Sequence, residues 1–124
     1  MTQEEKQLLL KDLCERLPYG VKVDVNFYDA TKELSCDLIR DLFLGEKCLR
    51  PYLRSMSSMT EEELKEFRAC SCVYDLHPNF HPMMCNIANE LNMFDWLNAH
   101  HFDYRGLIPM GLALEAKEGM YKIK

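Results

Sequence analysis

The chain has 124 residues, 48% of them hydrophobic and 28% charged, and this balance predicts one globular domain over residues 1–124 rather than a disordered chain. Its net charge of −5 argues against non-specific nucleic-acid binding, because that binding depends on lysine and arginine releasing counterions from phosphates. No apolar run is long enough to span a membrane, and the amino terminus lacks the basic start of a signal peptide. We therefore expect a cytoplasmic protein with no membrane partner and six mostly reduced cysteines.

The first elements along the chain are predicted to be a helix and a β-hairpin. Thr2 and Glu5 have the spacing of a capping box, which marks a helix start, and Pro18 ends that helix. From Val21 to Phe27 apolar and polar residues then alternate, which is typical of a half-buried strand. A turn follows, and a second antiparallel strand near Glu33–Asp37 would complete the hairpin.

The middle of the chain contains one ambiguous segment and one strongly indicated helix. Leu34–Leu44 fits either a short helix or a strand, and its periodicity does not decide between them. Cys48–Arg54 is predicted to be extended, because its central proline disfavours helix in the preceding residue. Thr60 and Glu63 form a second capping-box pattern, which predicts a helix over Glu61–Ser71.

The last third is predicted to hold one more helix and a closing strand. Pro82 suits the first turn of a helix, and an apolar stripe continues to Ala99. Alternation over Leu112–Ala116 predicts a short strand. The expected fold class is α+β: a single small domain with an N-terminal helix, an antiparallel hairpin or small sheet, two further helices and a short C-terminal strand.

One cluster has the density of ligands that a zinc site needs. Zinc in proteins is held by about four cysteine, histidine or carboxylate ligands, usually arranged as two separated pairs. The candidate ligands are Cys70, Cys72, His77, His81 and Cys85. The first two are closer together than in a standard zinc finger, and prolines interrupt the histidine segment. The alternative interpretation is a helix end followed by a polar turn.

Two short segments rich in tyrosine and arginine are candidates for partner binding, since both residue types are enriched at binding hot spots. The candidate residues are Arg50, Tyr52, Arg54, Asp103, Tyr104 and Arg105. The structural alternative is that they end and orient backbone elements, with Asp103 capping the segment that follows it.

We find no coherent catalytic set in the sequence, and therefore predict a protein that is not an enzyme and needs no cofactor. Cys14, Cys36 and Cys48 are interpreted as small core hydrophobes, which is how free cysteine usually behaves. The scattered glycines do not form a loop able to cradle a phosphate.

Three blocks of the sequence carry a resemblance to a protein family. They are Thr2–Cys14 continued by Arg16–Val21, Arg50–Glu63 and Asp95–Ala116. These blocks resemble an uncharacterised family of small proteins from gut Bacteroides-type bacteria and their phages or mobile elements. The resemblance implies an accessory protein that binds a host protein without catalysis. The alternatives are an anti-defence protein that sequesters a nucleotide signal, or a small zinc-binding protein built on the Cys70–Cys85 cluster.

Overall fold

The computed structural model describes residues 1–27, 31–71 and 93–121, with the backbone alone given for residues 68–71. Over these residues the chain is a small α+β unit, as the sequence predicts, and its helices pack on a mixed four-stranded sheet. In chain order the elements are α1 Gln3–Arg16, β1 Lys22–Val25, β2 Thr31–Glu33, α2 Cys36–Phe43, β3 Leu49–Leu53, α3 Glu61–Ser71, α4 over 93–99 and β4 Leu114–Glu115.

The sheet has the strand order β2-β1-β3-β4. Strand β1 is antiparallel to both β2 and β3, with Val23 opposite Lys32 on one side and Pro51 on the other, whereas β3 and β4 are parallel. The amide of Asn26, the residue after β1, donates to the carbonyl of Cys48, the residue before β3. Because backbone groups point alternately to the two sides of a strand, the nitrogen of Pro51 faces away from β1. Because β4 pairs with β3 only from Tyr52 onward, the missing N–H of the proline leaves no ladder bond unmade.

Both predicted capping boxes are present. At α1 the amide of Glu5 donates to the Thr2 hydroxyl at 3.1 Å, and the amide of Thr2 donates back to the Glu5 carboxylate at 2.9 Å. At α3 the matching distances between Thr60 and Glu63 are 3.2 and 3.0 Å. These local bonds satisfy amides that a helix start would otherwise leave unpaired, which explains why both helix starts were predictable.

The ambiguous segment Leu34–Leu44 is a helix. The amide of Leu38 donates to the hydroxyl of Ser35, which caps α2. Leu38 and Leu42 are buried in the hydrophobic core. The predicted second strand is therefore wrong beyond Glu33, because the Ser35 cap starts a helix where the strand was expected to continue.

The alternation predicted through Phe27 is broken at the end of β1. Asn26 and Phe27 have φ angles of 57° and 62°, so the strand stops at Val25 and Phe27 is 60% exposed. Asp24 also departs from the predicted alternation. It was expected to be exposed with the other polar residues of the strand, but it is buried and forms an ion pair with Arg50.

The last helix ends at residue 99 as predicted, and the part of the predicted helix before residue 93 lies outside the described residues. The closing strand is shorter than predicted, because Leu112 turns back to bond the carbonyl of Leu107 and leaves only Leu114–Glu115 in the ladder. In the described portion of the chain, no helix has both the length and the apolar composition needed to cross a bilayer.

Candidate functional site

The six candidate partner-binding residues do not form an exposed patch. Tyr52 is only 1% exposed and Asp103 only 8%, while the four others are partly buried. They fall into two groups at different places on the fold. One group lies on β3 and its continuation, and the other follows α4.

On β3 the candidate side chains face inward or along the sheet. Arg50 donates to the buried carboxylate of Asp24 at 2.8 Å, and its guanidinium lies 4.4 Å from the ring centre of Phe27. The carbonyl of Tyr52 accepts from the hydroxyl of Tyr121 at 2.7 Å, which fastens the C-terminal segment to the sheet. The Arg50 side chain is therefore engaged within the fold, whereas Tyr52 holds the C-terminal segment through its backbone carbonyl.

Arg54 is the centre of a buried ion pair that the sequence did not reveal. Its two terminal nitrogens donate to the two carboxylate oxygens of Glu63, each at 2.7 Å, and its guanidinium lies 4.3 Å from the ring centre of Phe102. Hydrogen bonding from Arg54 lowers the pKa of Glu63 to about 2, although burial opposes that shift. The capping box of α3 is thus also the anchor that joins α3 to the end of β3.

The second group forms a polar network between α1 and the segment after α4. Arg105 donates to Asp12 and to Glu15, each at 2.6 Å, and the hydroxyl of Tyr104 donates to Asn98 at 2.9 Å. Burial raises the pKa of the Glu15 carboxyl, but the hydrogen bonds from Arg105 and Tyr104 and the charges of Arg105 and Lys11 together outweigh it, and the net pKa is lowered. This network leaves little of the Arg105 charge for a ligand.

Asp103 caps the segment after it, in agreement with the structural interpretation. Its two carboxylate oxygens accept from the amides of Leu107 and Ile108 at 2.8 and 2.9 Å. The carboxylate of Asp103 is therefore already occupied by backbone donors. Its binding role has not been tested and stays a prediction.

Sequence reasoning missed Arg16, which is completely buried. It donates to Asp12 at 2.8 Å and to the carbonyl of Phe102 at 2.7 Å, while its second terminal nitrogen has no partner among the described atoms. The only sequence signal was the i,i+4 spacing of Asp12 and Arg16 on one helix. That spacing usually marks an exposed pair, so burial of this one could not have been foreseen.

A groove lies between α1 and α4, and we call it the α1–α4 groove. Its volume is about 780 Å³, within the range of ligand-binding clefts. Tyr19 and Phe94 stand at its rim with 38% and 45% of their surfaces exposed. The lining residues are Lys11, Cys14, Glu15, Pro18, Tyr19, Phe94, Asp95, Asn98, Tyr104 and Arg105.

A second cavity, of about 500 Å³, lies where α3 begins, and we call it the His101 cavity. His101 follows the end of α4 with φ of 64°. Its amide donates to the carbonyl of Asn98 and the amide of Phe102 donates to the carbonyl of Leu97, and these two bonds form a Schellman cap. His101 as a residue is 9% exposed, and its ring stacks on Tyr121 with 3.8 Å between ring centres. Burial, helped by neighbouring positive charges, lowers the pKa of His101 to about 4, so the imidazole is neutral at physiological pH.

The candidate zinc ligands cannot be placed. Cys70 belongs to α3 by its backbone, and Cys72, His77, His81 and Cys85 lie outside the described residues. Within residues 1–27, 31–67 and 93–121, no three ligating side chains are grouped around a metal position. The zinc site stays a prediction, which elemental analysis of the purified protein would test.

The cysteines earlier in the chain correct the expectation that they fill the core. Cys14, Cys36 and Cys48 are free thiols and all three are exposed. The expectation rested on the usual burial of free cysteine, and it is wrong here because all three side chains lie at the surface beside buried leucines such as Leu13 and Leu49.

No protein-family model, curated protein or solved structure matches the chain. The resemblance to the Bacteroides-type family therefore stays a prediction, and the function has to be argued from the site itself.

Proposed function

We propose that the protein is a non-enzymatic binding module that engages a host protein through the α1–α4 groove. The observation that carries this proposal is the pair of exposed aromatic rings, Tyr19 and Phe94, standing over a hydrogen-bonded polar floor. Aromatic side chains are enriched at protein interfaces, and tyrosine is enriched at their hot spots.

The floor of the groove is already organised by its own contacts. The ring of Phe94 packs 5.3 Å from that of Tyr104, whose hydroxyl lies within hydrogen-bond distance of Asn98, Glu15 and Arg105. A surface held in this way loses little side-chain freedom when a partner binds, and that favours affinity.

The charges of the groove favour a protein segment over a nucleotide. A phosphate needs free cations, but Arg105 already donates to Asp12 and Glu15. Lys11 and Asp95 are the exposed charges on the opposing walls, so the groove offers one cation and one anion rather than a cationic cradle. A peptide with both charge signs beside an apolar centre matches this pattern better than a polyanion does.

The family resemblance supports the choice of a host protein as partner. A phage or mobile-element accessory protein of this size would act by binding a component of the bacterium that carries it. The proposal does not depend on a reactive centre, because every group named in it acts by contact alone.

The proposal is tested by comparing variants in pull-downs from lysate of a gut Bacteroides-type bacterium. Tyr19→Ser and Phe94→Ser remove the rim rings, and Phe43→Ser is the matched control, since Phe43 is 65% exposed on α2 and does not line the groove. We expect a protein retained by the wild type and by the control to fall about tenfold or more with each groove variant, as for a hot-spot aromatic.

Equal retention by all four proteins, or retention of nothing above background, would refute the proposal. The nucleotide alternative is tested on the same samples by heating the purified protein and analysing the released small molecules by mass spectrometry. A nucleotide released from the wild type but not from the Tyr19→Ser variant would replace the protein partner with a nucleotide.

A further inference from the structure

The floor of the α1–α4 groove contains a nearly buried amide group that is only half paired. Asn98 of α4 lines this groove and is only 3% exposed. Its Oδ1 accepts from the hydroxyl of Tyr104 at 2.9 Å, whereas Nδ2 donates to no atom of the described residues. Nδ2 is not one of the fully enclosed unpaired atoms, so it keeps part of the small surface that Asn98 exposes. Because Asn98 lines the α1–α4 groove and not the His101 cavity, this nitrogen opens onto the groove.

The neighbours of Asn98 determine which end of its amide is free. Arg105 Nη1 donates to the hydroxyl of Tyr104 at 2.9 Å, so the single hydroxyl proton is left to be donated elsewhere. Asn98 Oδ1 at 2.9 Å is closer to that hydroxyl than Glu15 Oε2 at 3.1 Å, and Glu15 Oε2 already accepts from Arg105 Nη2. The proton therefore goes to Asn98, whose two N–H groups remain without an acceptor. Buried polar groups are nearly always paired, so a ligand in the groove has to supply this acceptor.

The secondary structure around the groove restricts which backbone can supply it. Of the described residues, those that line the groove belong to α1, to α4 and to the segments that follow them, and none belongs to a strand. A partner therefore cannot bind here by adding a strand to a sheet edge. A partner helix would leave Nδ2 unpaired, because helix carbonyls before the last turn are bonded within the helix. A polyproline II segment has no internal hydrogen bonds, so all of its carbonyls are free to accept.

The exposed rings at the rim suit the same kind of segment. Tyr19 follows α1 and Phe94 lies on α4, and they are 38% and 45% exposed. Proline-rich segments dock in grooves lined by aromatic side chains, where their rings pack on the aromatic faces. Their conformation is largely formed before binding, so little chain entropy is lost on association.

Building on the proposed function, we propose that the segment bound by the α1–α4 groove is a proline-rich peptide in the polyproline II conformation. One of its backbone carbonyls accepts from Asn98 Nδ2, and its proline rings pack against Tyr19 and Phe94. The exposed charges of Lys11 and Asp95 favour a segment with one acidic and one basic residue beside the prolines.

The probes are two synthetic peptides with blocked ends, each with eight prolines between a glutamate and a lysine, in the two possible orders. The control peptides have the same charged ends around eight alanines, which favour a helix, or around Gly–Ser repeats, which are flexible. Binding is followed by NMR at neutral pH from the side-chain NH₂ signals of Asn98 and the backbone amides of Tyr19 and Phe94. We expect a saturable shift of all these signals with at least one proline peptide, and none with either control.

An isosteric substitution tests the hydrogen bond from Asn98. In Asn98→Asp the side chain still accepts from Tyr104 but has no N–H group to donate to the peptide carbonyl. The affinity for the proline peptide should therefore fall about tenfold or more, because a buried carbonyl loses its donor. Asn26→Asp is the matched control, since Asn26 does not line the groove and its side chain accepts from the amide of Cys48, which an aspartate can also do. This control should leave the affinity unchanged.

The proposal is overturned if neither proline peptide gives a saturable shift at millimolar concentration, if a control peptide binds equally well, or if Asn98→Asp binds as Asn26→Asp does. These failures can be told apart from failure of the proposed function by the pull-down. If a lysate protein is still lost with Tyr19→Ser and Phe94→Ser, the groove binds a partner that is not proline-rich. If the wild type retains nothing, the proposed function fails as well.

Discussion

We expect the wild type to lose stability as the pH falls from 6.5 to about 4, and replacing His101 by asparagine should remove this contribution. The unfolded chain takes up a proton on this imidazole near its ordinary pKa of 6.5, whereas the folded protein takes it up only near pH 4. The unfolded state therefore binds more protons within this window, and stability falls as the pH is lowered through it. Above pH 6.5 both states are neutral, and His101 adds no pH dependence.

The magnitude follows from the size of the shift. At about 1.4 kcal/mol per pKa unit, the drop from 6.5 to about 4 corresponds to at most about 3 kcal/mol of unfolding free energy. Asparagine is chosen because, after glycine, it is the residue that most readily adopts the positive φ found at this cap. It also removes the ring that stacks on Tyr121, so we expect the variant to be less stable at neutral pH and the two proteins to converge on acidification.

The assay is urea unfolding followed by the fluorescence of Trp96, the single tryptophan, at several values from about pH 7.5 to pH 4. The other histidines are common to both proteins and cancel in the difference. The contribution of Glu63 cancels in the difference as well. Its pKa is lowered to about 2 in the folded protein, so the stability that it contributes is lost only as the pH falls below its ordinary pKa of 4.5. If the free energy of unfolding falls in parallel with pH for the wild type and the variant over this range, His101 is not held neutral by burial.

Three further substitutions test the buried polar contacts, each by its effect on the free energy of unfolding in urea. Glu63→Gln leaves the guanidinium of Arg54 largely buried without its counter-charge and should lower stability by about 3 kcal/mol. Asp103→Ala removes the acceptor of two backbone amides and should lower it by about 2 kcal/mol, with faster hydrogen exchange at both amides. Thr2→Ala removes one half of the first capping box and should lower it by about 1 kcal/mol.

The exposed ion pair of Arg40 and Asp37 is the control for these substitutions. Its nitrogen and oxygen are 3.7 Å apart, and the side chains are 63% and 82% exposed. Asp37→Asn should therefore change stability by less than about 1 kcal/mol. If Glu63→Gln has no larger effect than Asp37→Asn, the buried pair does not anchor α3 as described.

The local elements were the part of this protein that the sequence determined. Thr2 with Glu5, and Thr60 with Glu63, bond within one turn of helix, so the starts of α1 and α3 could be read from spacing alone. The extended character of β3 followed equally from the restriction that its proline places on the preceding residue. These features depend on neighbours a few residues apart, which is the range that sequence patterns report.

What only the tertiary structure decided was which polar groups meet across the fold. Arg54 reaches Glu63 nine residues away, and Arg105 reaches Asp12 across 93 residues, and no local pattern encodes either partner. Because such partners are set by the fold, the sequence did not show that the six candidate binding residues are mostly engaged within the protein. The α1–α4 groove with Tyr19 and Phe94 at its rim, and the His101 cavity, likewise form only when α1, α3 and α4 pack together. Local propensity sets where an element begins, but the burial and pairing of a charge depend on what the chain brings opposite to it.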